Sequence, residues 1–154
     1  MKSEFSKLSA SETELMLKAP ILACILIAGA DGEIDRNEIQ GAIEVTRRKQ
    51  KRSQANLLDF YQNVAEDFED KLKILIQSYP QKAKDRNPMI IAELSQLNTI
   101  LPKLDKSFAK GFYNSIKEIA LKIAESSGGL LGMNKIGSEE AKLVGLSMIK
   151  DPSL

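Results

Sequence analysis

The sequence predicts an all-α fold in a single domain over residues 1–154, and three observations carry that reading. Apolar residues recur at steps of three and four from end to end, the spacing of helix faces. β-branched and aromatic residues never alternate with polar ones over a length that would make a half-buried strand. Hydrophobic residues make up 43% of the chain and charged residues 28%, the balance of a globular protein rather than a disordered one. A chain of this length buries about 68–70% of its unfolded surface, so its core needs neither a disulfide nor a metal. Residues 1–10 read as a loosely ordered N-terminal segment.

The first helix is expected to start near Ser11, an N-cap with Glu14 three residues on, and to run through Leu15, Leu22, Ile25 and Leu26 to about Ala30. Pro20 either kinks it or opens a second helix where the missing N–H costs nothing. Residues 21–28 are apolar on every face, which marks them as the buried central element. The second helix follows Asp35, with Ile39, Ala42, Ile43 and Thr46 on one stripe, and ends in the basic run RRKQKR. A third carries Leu57, Tyr61, Val64 and Phe68. Leu72, Ile74, Leu75 and Ile76 either continue it or form a short helix before a surface connection, SYPQKAKDRNP. Pro88 is expected to open a fourth segment with Ile91, Leu94, Leu97 and Leu101. A long helix from about Asp105 to Glu125 places Phe108, Phe112, Ile116, Ile119 and Ile123 on one face. The loop SSGGLLGMNKIG and a last helix with Leu143, Val144, Leu146 and Ile149 complete the chain.

The absence of histidine removes Ser-His-Asp triads, Cys-His dyads, zincin-type sites and histidine general bases. Cys24 is the one cysteine and stands inside the apolar run PILACILIAGA, so it reads as a small buried hydrophobe in a reducing, cytoplasmic setting. The N-terminus MKSEFSKLSASETE has no apolar core of a signal peptide. The longest apolar stretch, about a dozen residues, is short of the roughly 20 that span a bilayer. A net charge of +1 gives no bulk excess for neutralising phosphates, so nucleic acid is not an expected partner.

Residues 28–38, AGADGEIDRNE, pack Asp31, Glu33, Asp35 and Glu38 around Gly32. With Gly32 as the sixth position of a calcium loop, Asp35 and Glu38 fall on the ninth and twelfth, but the first and third fall on Ile27 and Gly29, which offer no side-chain oxygen. Capping chemistry accounts for the same residues. Gly32 closes one helix in the left-handed conformation, Asp35 caps the next, Glu38 completes an acidic capping box, and Ile34 meets Ile39 as a hydrophobic staple. Both readings leave the carboxylates on one acidic surface, where calcium or magnesium is the cofactor they could hold.

A second unit repeats the plan. IAGADGEIDRNE aligns with IAESSGGLLGMNKIGSEE, with Ile34 and Glu38 matching Ile136 and Glu140 at the same spacing of four. Gly128, Gly129 and Gly132 are followed by no Gly-Lys-Ser/Thr, so this loop is a connection and not a phosphate cradle. On the pattern A-x-A-D-G-E-I-D-x-x-E at 28–38 and on residues 123–149, the chain resembles the TerB-like tellurite-resistance family. Residues 53–110 carry no matching motif, and Ser127-Gly128 stands where a second Asp-Gly is expected. The resemblance implies a compact bundle of about six to seven helices with two pseudo-repeated helix-turn-helix units. It further implies a role in bacterial stress response through contacts with other proteins, and a metal at Asp31, Asp35, Glu38 and Glu140.

Two charged runs remain. Arg47, Arg48, Lys49, Lys51 and Arg52 close the second helix, where cations complement the negative helix end. Glu66, Asp67, Glu69 and Asp70 form an opposed acidic run, and the pair would suit docking to a protein partner. The basic run also leaves peripheral contact with a membrane open. Three functions follow as expectations: a non-enzymatic interaction module, a calcium- or magnesium-binding protein, and a metal-dependent hydrolase using Asp31, Asp35 and Glu140.

Overall fold

The computed structural model describes residues 5–29, 36–49, 55–129 and 143–153, with the side chains at 36, 38, 42, 45–47, 49, 55 and 126–129 outside that description. The described residues are helices and turns, with no strand among them. In order they are α1 (Ala10–Ala28), α2 (Arg36–Lys49), α3 (Ala55–Glu66), α4 (Phe68–Ser78), α5 (Ala83–Ser95) and the single turn α6 (Leu97–Ile100). A 3-10 turn (Leu101–Lys103) then leads into α7 (Lys106–Gly129).

α1 starts two residues earlier than its sequence suggests, because Ser9 and Glu12 build the capping box instead of Ser11 and Glu14. Glu12 N–H donates to Ser9 Oγ at 3.1 Å, and Ser9 N–H donates to Glu12 Oε1 at 2.9 Å. Pro20 neither opens nor ends a helix: it lies inside α1 and is buried. The missing bond to the Met16 carbonyl costs about 3 kcal/mol in an ordinary helix. Packing around it outweighs that cost, since every residue from Ile21 to Ile27 is fully buried. A helix apolar on all sides belongs at the centre, and α1 touches each of the other six. It ends at Ala28, two residues short of the expected end, and Gly29 N–H there donates to the Ile25 carbonyl at 2.8 Å.

α2 packs against α7 and α3, and Ile39 and Ile43 of its expected stripe are buried. Leu57, Tyr61 and Val64 of α3 are buried, but the helix stops at Glu66, and Asp67 separates it from α4. Leu72 and the partly buried Leu75 and Ile76 therefore belong to a helix of their own, while Ile74 faces solvent. Phe60 is the hub of an aromatic cluster, meeting Phe5, Tyr61, Phe108 and Phe112 edge-on with ring centroids 5.1–6.1 Å apart. Phe5 is thus a core residue, and the segment from 5 to 10, read from sequence as loosely ordered, is tied in through it.

Two further stretches differ from the sequence reading. The expected long connection SYPQKAKDRNP is only Tyr79–Lys82, and Pro88 sits within α5, so it does not open the helix. Lys82 takes the N-cap position, and its carbonyl receives the Asp85 and Arg86 N–H groups at 3.0 and 2.9 Å. The expected last helix does not continue over residues 144–149, which are turns. Leu146 breaks it with a left-handed φ of 48°, strained for a branched residue but coupled to complete burial of its side chain. Asn98 holds the segment by donating from Nδ2 to the Met148 carbonyl at 2.9 Å and accepting from Lys150 N–H at 2.7 Å. Lys110 pairs with Asp151 at 2.8 Å.

Candidate functional site

Two packed helices flank the acidic stretch in sequence, with α1 closing at Gly29 and α2 opening at Arg36. Asp31, Gly32 and Asp35 lie outside the described residues, as do Glu140 and most of the second unit. Glu38 is placed in the first turn of α2, with its side chain outside the description. The side-chain geometry of the expected metal site is therefore not part of the described structure. Its two weak positions are. Ile27, at the first place of the calcium-loop register, is helical and fully buried. At the third, the Gly29 carbonyl already accepts from Arg86 Nη2 at 2.6 Å.

That arginine is what sequence reasoning missed. Arg86 lies in α5, 3% exposed, with its guanidinium against the end of α1. Nη1 donates to the Gln81 carbonyl at 2.8 Å, while Nε has no partner among the described residues. A cation at a helix C-terminus meets free carbonyls and the negative end of the dipole, and burial lowers the Arg86 pKa from its usual value without making it neutral at physiological pH. The approach dictates Gly29. A Cβ there would stand 2.5 Å from Arg86 Nη2 and 2.8 Å from the Ile25 carbonyl oxygen, and with φ at −93° the need for glycine is steric. The usable signal was the step of four linking Arg86 to Ile90 and Leu94. Reading Pro88 as the start of a helix concealed it.

The acidic run lies where two helices meet. Glu66 ends α3, Asp67 occupies the N-cap position of α4 without a side-chain cap bond, and Glu69 and Asp70 stand in the first turn of α4. All four are exposed. Asp67, Glu69 and Asp70 meet the positive end of α4, and all four carboxylates keep a dense negative surface toward solvent. Of the basic run, Arg48 is exposed, 3.9 Å from Glu44 one turn back. Arg47 and Lys49 are placed in α2 by backbone alone, and Lys51 and Arg52 lie outside the described residues.

Among the described residues, Cys24, Tyr61, Ser115 and Tyr79 are buried or bound to neighbours. Cys24 is fully buried, and desolvation pushes its thiol far above the thiolate range. Tyr61 shares a 2.6 Å hydrogen bond with Ser115 Oγ, which itself donates to the Phe112 carbonyl, and burial raises the phenol. Tyr79 donates to Glu93 Oε2, and Lys18 pairs with Glu93 Oε1 at 3.3 Å, tying the α4–α5 turn to α1. Desolvation, then the Glu93 contact, raise the Tyr79 pKa. Among the described residues no three His, Cys, Asp or Glu side chains are grouped to hold a metal, and no helix is long and apolar enough to cross a membrane. The chain matches no family model, no curated protein and no solved structure.

Proposed function

We propose that this chain is a non-enzymatic interaction module of a bacterial stress-response system of the TerB-like kind, working in the cytoplasm and modulated by a divalent cation at its acidic turn. One observation carries the reading: the four carboxylates of Glu66, Asp67, Glu69 and Asp70 are exposed together at the α3–α4 junction, while Cys24, Tyr61 and Ser115 are sealed in the core. Exposed charge of one sign steers encounter and selects complementary partners; buried nucleophiles meet no substrate. The pattern at residues 28–38 supports the same reading. The test is capture from native bacterial lysate at low salt and again at about 0.5 M, where surface electrostatics are largely screened. A specific basic partner retained only at low salt supports the proposal. Recovery of none, with turnover of a substrate by the purified protein, overturns it.

A second reading, a calcium- or magnesium-binding protein, is favoured by the closure of α1 at Gly29, which leaves Asp31 and Asp35 between two helices. It takes Asp31, Asp35 and Glu38, with Glu140, as ligands. Calorimetric titration with calcium separates the readings: heat lost in both Asp31→Ala and Glu38→Ala supports the metal site, and heat that is absent or unchanged rejects it.

A further inference from the structure

We infer that the cleft between the C-terminal segment and the start of α7 binds a small amphiphilic anion, an apolar body bearing one carboxylate or phosphate. The cleft holds about 380 Å³, within the roughly 300–1,000 Å³ of ligand sites. Leu101, Leu104 and Ala109, all buried, form its floor, and Pro152 forms one side. An apolar floor of this size selects a ligand with a hydrocarbon or aromatic body.

The rim selects the head group. Lys106 and Lys150 both line the cleft, are exposed, and make no ion pair among the described residues. Asp151 lines the cleft as well, and it and the nearby Asp105 are engaged. Asp151 is bound to Lys110 and to Ser153, and the Asp105 carboxylate accepts from Phe108 N–H in the first turn of α7 at 3.2 Å. Two uncommitted ammonium groups thus stand over an apolar surface, complementary in charge and polarity to an anion with a short tail. Asn98 also lines the cleft, with its amide bonded to the Met148 carbonyl and the Lys150 N–H.

The experiment is an amide-resolved NMR titration of the full chain with octanoate, with hexyl phosphate in parallel and octylamine as the cationic control. Saturable shifts centred on Lys106, Ala109 and Lys150 are expected with either anion and not with octylamine. The tighter of the two identifies the head group. Lys106→Glu/Lys150→Glu alters only exposed side chains, so it should keep the native spectrum and weaken octanoate by about tenfold, the order expected for reversing two partly screened charges. Shifts scattered over the surface, equal shifts with octylamine, or undiminished binding by the double variant would overturn the assignment.

Discussion

Arg86 shows how a residue can matter while its local sequence points elsewhere. It lies in a stretch of lysine, aspartate, asparagine and proline that reads as loop, yet its guanidinium holds the end of α1 from 57 residues away. Replacing it with methionine keeps most of the aliphatic volume but leaves the Gly29 and Gln81 carbonyls without their donor, and urea unfolding should show a loss of about 1–3 kcal/mol. Gly29→Ala should cost a similar amount by driving a methyl group into the same guanidinium, on the order of the 1–3 kcal/mol typical of overpacking. Asp151 gives a prediction in pH. Its contact with Lys110, helped by Ser153, lowers its pKa from 3.8 to about 2. A group with a depressed folded pKa adds stability above its unfolded value and loses it as the pH falls through the folded one. The stability gap between wild type and Asp151→Asn should therefore be full at pH 5, shrink as the pH falls, and be lost only below about pH 2.

Elements were legible where periodicity was uninterrupted, and misread where one residue carried two meanings. The stripe from Phe108 to Ile123 and the all-apolar run after Pro20 correspond to buried helix faces. Proline misled once: Pro88 is read as a helix opener but sits inside α5, whereas Pro20, read either as a kink within the first helix or as the start of a second, lies inside α1. The cap of α1 was displaced by two residues because Ser9 and Ser11 each have a glutamate three positions on, and Lys103 favours Glu12 by pairing with it at 2.6 Å. At the C-terminus the spacing of Leu143, Leu146 and Ile149 imitates a helix, while the buried left-handed Leu146 makes it a turn. Glycine within α2 offers a direct check on propensity. Gly41 is exposed, and a Cβ there meets nothing within 4 Å. Gly41→Ala should stabilise the protein by about 0.5–1 kcal/mol in thermal unfolding, the backbone entropy that glycine forfeits in a helix.

At the scale of the molecule, the all-α class followed from composition and spacing, since each amphipathic stripe needs only one buried neighbour and α1 supplies it. The candidate site was legible only as charge. Sequence identifies where carboxylates cluster, but their joint geometry depends on helix ends, as the division of Glu66–Asp70 between α3 and α4 shows. The proposed function rests on that junction as a docking surface. Its most direct test is quantitative capture of lysate proteins by the wild type and by a variant with Glu66, Asp67, Glu69 and Asp70 all changed to lysine, with matched circular dichroism for the two. A specific partner is expected on the wild type and lost from the variant. Equal capture by both, at any salt concentration, would contradict it.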